Sequence, residues 1–352
     1  MAALTLAEHG GWPAILGRLT GGQSLSREEA RAAMAEILDG AASPAQIAAF
    51  VVALRMKGEA VDELVGMVDA MLEASTRVEV DVDGPLVDIV GTGGDRAHTI
   101  NVSTIASLVV AGAGGRVCKH GNRAASSSCG SADLLEALGV AIELGPDGVT
   151  ACVEEAGIGF CFAPRFHPAM RHAGPPRRDL GIPTAFNILG PMSNPGRVRR
   201  YVIGVADEAV AERMASVLQA NGATRALVVH GGDGLDELTT TGPSRIVELR
   251  DGEVTRWELD PADLGLARVD RSALVGGEPK VNADLARRVL AGETGPHRDI
   301  VCLNAAAGLV AAGVVDDLVA GLEQARAAID DGRASGALEA LVTVSQREAA
   351  QV

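Results

Sequence analysis

The run Gly91-Thr92-Gly93-Gly94-Asp95 follows the short strand-like run Leu86-Val87-Asp88-Ile89-Val90 and precedes a stretch rich in Ala and Val. Glycines between a strand and a helix let backbone N–H groups close on an anion, and the helix start adds a partial positive charge. The run is neither a GxGxxG dinucleotide fingerprint nor a Walker loop, because no Gly-Lys-Ser/Thr follows. Alone it fits equally a tight turn that touches no ligand. Asn101-Val102-Ser103-Thr104 adds amide and hydroxyl groups at the same helix start, which favours phosphate. A second polar run, Lys119-His120-Gly121-Asn122-Arg123, leads through Ala124 and Ala125 to Ser126-Ser127-Ser128 and then Gly130-Ser131. Its cations, amide and hydroxyls could wrap a polyphosphate; the plainer reading is a solvated basic loop. Asp236-Glu237 follows Gly232-Asp233-Gly234. Magnesium is commonly held by one or two carboxylates together with substrate phosphates, and α/β domains place ligands at strand ends. A solvated acidic pair is the alternative.

Arg165, His167, Arg171, His172, Arg177 and Arg178 crowd one short segment. Any of them could meet a carboxylate through a bidentate fork, and the pattern does not choose among them. His120 and His172 are not at metal-ligand spacing, and no GxSxG or other nucleophile signature occurs.

The elements that must position these groups fall into two textures. The first 75 or so residues read as helices. Ser26-Arg27-Glu28-Glu29 has capping-box spacing, Ser43-Pro44 supplies an N-cap with proline in the first turn, Gly58 stops that helix, and a third helix starts near Val61. From Pro85 onward, strand-like runs at 86–90, near Val117, and at 159–163, 201–205, 226–230 and 246–249 alternate with helical patterns such as 208–220. That alternation predicts an α/β domain with a largely parallel sheet. The run Thr239-Thr240-Thr241 reads as a β-rich loop, and residues 164–195 as a segment dipping back to the helices.

The chain has 352 residues, beyond the roughly 250–300 that one core organises, so two domains are expected. Its net charge of −15 excludes a general nucleic-acid binder, which needs a basic footprint. A hydrophobic share of 47% excludes disorder. With no signal peptide, no long apolar span and five cysteines lacking any CxxC pair, a reduced cytoplasmic protein is expected.

Taken together, Gly-Thr-Gly-Gly-Asp (91–95), Asn-Val-Ser-Thr (101–104), Lys-His-Gly-Asn-Arg (119–123), Asn-Ile-Leu-Gly-Pro-Met-Ser-Asn-Pro (187–195) and Gly-Leu-Asp-Glu (234–237) strongly resemble the anthranilate phosphoribosyltransferases of tryptophan biosynthesis. Each motif is weak singly. Their order and spacing, kept from the helical N-terminus to about Val342, are specific. The resemblance implies a nucleoside phosphorylase/phosphoribosyltransferase-like fold. In it, a small helical domain (1–78, with 167–195 returning to it) is hinged to a large α/β domain (79–166 and 196–352), with the active site in the cleft. It also implies a homodimer formed through the helical domains, with anthranilate and 5-phosphoribosyl 1-diphosphate as ligands and Mg2+ as cofactor.

By the same resemblance, Gly91, Gly94, Asp95 and Thr99 line the diphosphate turn. Asn101, Val102, Ser103 and Thr104, with Lys119, His120, Gly121, Asn122, Arg123, Ala124, Ala125, Ser126, Ser127 and Ser131, contact the phosphoribosyl donor. Ser103, Asp236 and Glu237 hold magnesium. Gly91, Asn122 and Arg177 meet anthranilate, Arg177 at its carboxylate. No general base is implied. Three places depart from the family pattern: Arg96-Ala97-His98, where Gly and then a small or amide residue is frequent; Pro183, where many members carry Arg; and Cys129 in the loop. The rivals are a pyrimidine nucleoside phosphorylase, against which the Lys-His-Gly-Asn-Arg run and the Asp-Glu pair argue, and a nucleic-acid-binding paralogue, against which the net charge argues.

Overall fold

The computed structural model describes residues 4–124 and 128–351; the expected donor contacts Ala125, Ser126 and Ser127 lie outside them. The chain starts with four helices, α1 (Gly11–Thr20), α2 (Arg27–Leu38), α3 (Pro44–Lys57) and α4 (Val61–Glu73). Their starts follow from the capping residues. The Ser26 hydroxyl accepts from Glu29 N at 3.2 Å while the Glu29 carboxylate accepts from Ser26 N at 2.8 Å. Ser43 and Gln46 repeat the exchange at 3.3 and 2.7 Å, satisfying donors that a helix start otherwise leaves orphaned. Gly58, at φ +85°, ends α3. The buried Glu63 carboxylate ties the bundle together through Lys57 Nζ at 2.9 Å and Leu25 N at 2.9 Å.

Next come β1 (Leu86–Gly91), α5 (Val102–Gly112), β2 (Arg116–Gly121), α6 (Ser131–Leu138), α7 (Pro146–Ala156) and β3 (Ile158–Phe162). A returning segment holds α8 (Ala163–Phe166), α9 (Gly174–Leu180) and α10 (Phe186–Leu189). The chain resumes the sheet with β4 (Arg200–Gly204), α11 (Ala211–Ala220), β5 (Arg225–Gly231), β6 (Ser244–Arg250) and β7 (Glu253–Leu259), and ends in α12 (Pro279–Leu290), α13 (Pro296–Ala312), α14 (Leu318–Asp330) and α15 (Arg333–Ala349). The sheet order is β3-β2-β1-β4-β5-β6-β7, parallel from β3 to β5 and antiparallel through β6 and β7. The expectation of a largely parallel sheet holds, with one addition: β7, which the sequence reading did not identify. It is an edge strand with mostly exposed side chains, so it lacks an apolar face to announce it.

Helices α5 and α13 pack on the sheet, and α14 and α15 lie against them. Val87, Asp88 and Ile89 of β1 are all buried, but against different partners: a Cβ at Gly308 of α13 would meet Ile89, whereas the neighbouring Asp88 bonds Asn194 of the returning segment. The two faces of the sheet are thus covered by different parts of the chain. The returning segment packs on the bundle: α9 lies against α3, Arg55 donates to Pro183 O at 2.8 Å, and Thr76 N donates to Phe166 O at 2.8 Å. Among the described residues no helix is long and apolar enough to cross a membrane.

Candidate active site

From β1 the chain builds outward to β2 and β3, then crosses to β4 and β5 on the other side. The β1–β4 junction is therefore the point where strand order reverses, and the crevice beyond the C-terminal strand ends opens there. The last residues of the two strands, Gly91 and Gly204, are register partners. Neither could carry a side chain. A Cβ on Gly91 would lie 2.2 Å from Asp236 Oδ2, and one on Gly204 would lie 1.6 Å from Asp236 O. The absence of side chains at both strand ends lets the acidic loop enter the crevice.

From that position the two adjacent carboxylates reach different elements. Asp236 Oδ2 accepts from Gly93 N at 2.7 Å, in the glycine-rich turn. Glu237 Oε1 accepts from Ser103 N at 3.1 Å, in the first turn of α5. Both side chains are half-buried. Desolvation, then the neighbouring charge of Asp95, pushes Asp236 up to about 7. Desolvation and the Asp236 charge push Glu237 up to about 8, with Lys119 acting the other way. Lys119 is buried, and its Nζ donates to Ile89 O. Burial lowers its pKa, opposed by Asp88 and Glu237. Asp95, Ser103, Lys119, Asp236 and Glu237 thus share one neighbourhood.

Other expected residues have local partners. Arg123 is turned toward α6, with Nη1 3.0 Å from Asp133 and 2.8 Å from Glu136 and its guanidinium 5.6 Å from the Phe162 ring centre. Ala124 N donates to Asp133 at 2.9 Å, and the Ser131 hydroxyl donates to Asn122 O at 3.1 Å, so residues 122–124 are laced to the α6 start. Gly121 backs onto Ser131 and Phe160. Asn101 Nδ2 donates to Cys129 O at 2.8 Å, and Asn101 Oδ1 accepts from Asn282 at 2.9 Å. Val102 is core, and the buried Thr104 hydroxyl has no hydrogen-bond partner. Thr99 makes a single bridge to Val275, and Gly94 holds φ +88°. His120 Nδ1 lies 3.2 Å from Gly190 O, and its ring centre is 5.1 Å from that of His167. Burial drives these histidines down to about 3 and about 4 respectively.

Arg177 lies on α9, apart from the α/β residues, with its guanidinium 5.3 Å from the Phe186 ring centre. Burial lowers its pKa. Among the described residues no carboxylate pairs with it, which leaves an unneutralised cation on the bundle side. Of the departures, Arg96 and His98 both sit in the left-handed region, at φ +53° and +52°, costing about 1–2 kcal/mol each relative to glycine. Pro183 contributes its carbonyl to Arg55. Cys129 is buried, with Sγ 3.6 Å from Gly130 O.

Sequence reasoning missed Asp88 and Asn194. The Asp88 carboxylate accepts from Asn194 Nδ2 at 2.7 Å and His120 N at 3.1 Å, and Asn194 Nδ2 also donates to Cys118 O at 2.8 Å. Burial raises Asp88 to about 6. This triangle pins the returning segment to the strand that carries Lys119 and His120. The only sequence signal was an acidic residue inside an apolar strand.

No group of three or more His, Cys, Asp or Glu side chains suited to a metal occurs among the described residues. Any metal would need ligand oxygens in addition. The Ser103, Asp236 and Glu237 set is all oxygen, and its two desolvated carboxylates repel each other, which fits a hard divalent cation such as Mg2+.

A helical bundle joined to an α/β domain with an acidic, glycine-lined crevice at the strand-order reversal defines a glycosyl transferase class. Residues 13–75 match the glycosyl transferase family helical bundle domain, and residues 83–335 its a/b domain. The chain is 54% identical over 341 residues to the anthranilate phosphoribosyltransferase of Salinispora arenicola (strain CNS-205), covering 95% of this chain and 96% of that protein. It is 56% identical over 330 residues to that of Rhodococcus jostii (strain RHA1), covering 92% and 90%. The crystal structure of anthranilate phosphoribosyltransferase from Thermus thermophilus superposes with a TM-score of 0.90 at 46% identity, covering 94% of this chain and 99% of that one. The Saccharomyces cerevisiae enzyme in complex with PRPP and Mg gives 0.87 at 27%, covering 97% and 99%. The chain belongs to the anthranilate phosphoribosyltransferase family, and it is an enzyme.

Proposed function

We propose that this chain transfers the phosphoribosyl group of 5-phosphoribosyl 1-diphosphate to the amine of anthranilate, giving N-(5-phosphoribosyl)anthranilate and diphosphate, a step of L-tryptophan biosynthesis. The observation that carries the reading is the acidic loop seated against the paired strand ends Gly91 and Gly204, with Asp236 and Glu237 hydrogen-bonded to the glycine-rich turn and the α5 start. The turn, with Gly91, Gly94, Asp95 and Thr99, receives the diphosphate, and the α5 N-terminus with Ser103 and Thr104 adds donors and helix-end charge. Lys119, His120, Gly121, Asn122, Arg123, Ala124 and Ser131 contact the phosphoribosyl donor. Ser103, Asp236 and Glu237 hold Mg2+, which when bound neutralises charge on the diphosphate. Arg177 takes the anthranilate carboxylate.

Three things remain for the chain itself to do. It presents backbone donors where negative charge grows on the leaving group. It aligns the aryl amine, largely neutral at pH 7, with C1 of the ribose. Its bundle and α/β domain, divided as 1–78 with 167–195 and 79–166 with 196–352, close over the reactants to exclude water. No residue needs to act as a general base. On the same reading the bundle forms a homodimer. The enzyme works in the cytoplasm, as five cysteines without a disulfide support.

The test is loss of anthranilate fluorescence on mixing enzyme, anthranilate, 5-phosphoribosyl 1-diphosphate and Mg2+. Loss that needs every component and stops with chelator is expected. Persistence of the signal with folded enzyme overturns the reading, and cleavage of thymidine or uridine by inorganic phosphate would then indicate a nucleoside phosphorylase.

A further inference from the structure

A cavity of about 410 Å³ lies at the opposite end of β4 from the crevice. Leu72 of α4, the connection after it, the strand entry at residues 197–201 and the C-terminal end of α11 enclose it. Arg77, Arg197 and Arg199 line it beside apolar Leu72 and Leu218. Surplus positive charge is unexpected in a chain of net charge −15. The nearby carboxylates are largely committed elsewhere: Asp69 to Arg27 at 2.6 Å and Glu73 to Arg31 at 2.7 Å. Among the described residues Glu79 lies 3.3 Å from Arg77, both side chains mainly solvent-exposed, and the charges of Glu73 and Asp69 still reach Arg197.

Two further features point into the same space. Arg197 holds φ +50°, a left-handed backbone that disfavours any residue with a side chain, and its guanidinium donates to Leu72 O. Asn221, at the end of α11, has both amide atoms buried and without hydrogen-bond partners. Buried polar atoms left unpaired are rare in native proteins and call for a ligand or an ordered water. Partial desolvation, followed by the charge of Arg77, lowers the pKa of Arg197, with Glu73 and Asp69 acting the other way.

We propose that this cavity is a binding site for a small organic anion, with a carboxylate or phosphate head held by Arg77, Arg199 and Asn221 and an apolar body against Leu72 and Leu218. Its walls come from the bundle and from the α/β domain, so an occupant joins the two at the connection between them. It would act on the enzyme without entering the crevice, because β4 alone separates the two by about 16 Å.

The probes are hexanoate and hexyl phosphate, followed by saturation-transfer NMR with the full-length enzyme in the presence of saturating anthranilate, and inorganic phosphate, which has no carbon-bound protons, read as a competitor of hexyl phosphate. Hexanoate or hexyl phosphate should bind, and the stronger of the two identifies the head group. Arg77→Gln combined with Arg199→Gln should weaken that binding by about tenfold or more, with transferase activity retained as proof of folding. Arg177→Gln should leave it unchanged. Absence of binding by both hexyl probes, binding that survives the double substitution, or binding lost with Arg177 overturns the assignment. Inorganic phosphate binding as tightly as hexyl phosphate overturns the apolar half of it.

Discussion

Replacing Gly204 with Ala tests whether the acidic loop occupies the crevice because two strand ends lack side chains. The new Cβ would stand 1.6 Å from Asp236 O, 2.3 Å from its carbonyl carbon and 3.2 Å from its Cα. Carbon atoms rest at about 3.5–4 Å, so the loop must retreat by about 2 Å, and it is backbone that has to move. Overpacking of this kind costs about 1–3 kcal/mol. The hydrogen bonds from Gly93 N to Asp236 and from Ser103 N to Glu237 stretch with it, each worth about 1.5–3 kcal/mol before the released carboxylates are rehydrated. A net loss of about 2–4 kcal/mol by urea unfolding follows. Displacing the carboxylates this far should lower kcat/KM about 100-fold or more in the fluorescence assay. Gly336→Ala is the control, because the same added methyl in α15 meets nothing within 4 Å and should change stability by under about 1 kcal/mol in the favourable direction. Activity of Gly204→Ala within about threefold of the parent would mean that loop position does not govern the reaction. Lost stability with unchanged kcat/KM would remove Asp236 from the machinery.

Arg177→Ala should raise the KM for anthranilate by about tenfold or more, with a much smaller change for the phosphoribosyl donor; equal changes in steady-state kinetics would reduce Arg177 to a packing partner of Phe186. Asp236→Asn should weaken donor binding in Mg2+ titrations while leaving the urea midpoint level or higher, since a desolvated carboxylate is replaced by a neutral amide; unchanged donor affinity would contradict its role. For the histidine pair the sign is set by which state binds more protons. His167, held down to about 4 in the fold, takes up its proton near pH 6.5 only when unfolded, so its contribution is full above 6.5 and is lost as pH falls toward 4. Substituting His167→Gln should flatten the stability-versus-pH curve by about 1.4 kcal/mol per pH unit across that window. Parallel curves for variant and parent would show that His167 titrates normally.

The residues that were legible in the sequence are those whose role is local. Ser26 and Ser43 announce helix starts because the capping bond forms within three residues. The glycine-rich turn reads as an anion site because the strand and helix flanking it are visible in the same window. Strand β7 was not read, although a local signal existed: Asp251 and Gly252 both hold positive φ, at +52° and +82°, the Asp-Gly turn that joins hairpin strands. Its exposed side chains gave no alternation to support that signal. The roles of Asp88 and Asn194 had no signal beyond an acidic residue inside an apolar strand, because they are 106 positions apart and acquire meaning only when the returning segment covers the sheet.

Lys119 and Arg123 show the same limit within a single motif. Four residues apart, they read as equivalent cations for a polyphosphate. In the fold, strand alternation and burial commit Lys119 to the carboxylate side of the crevice, while the loop turns Arg123 onto Asp133 and Glu136. Arg177, with no carboxylate partner among the described residues, keeps its charge available to a ligand on the bundle side. Composition supplies the cations, but which of them remains unneutralised is decided by packing that no local spacing encodes. On the proposed reading, that distinction directs the phosphoribosyl donor chiefly to backbone N–H groups and the acidic pair rather than to a ring of basic side chains.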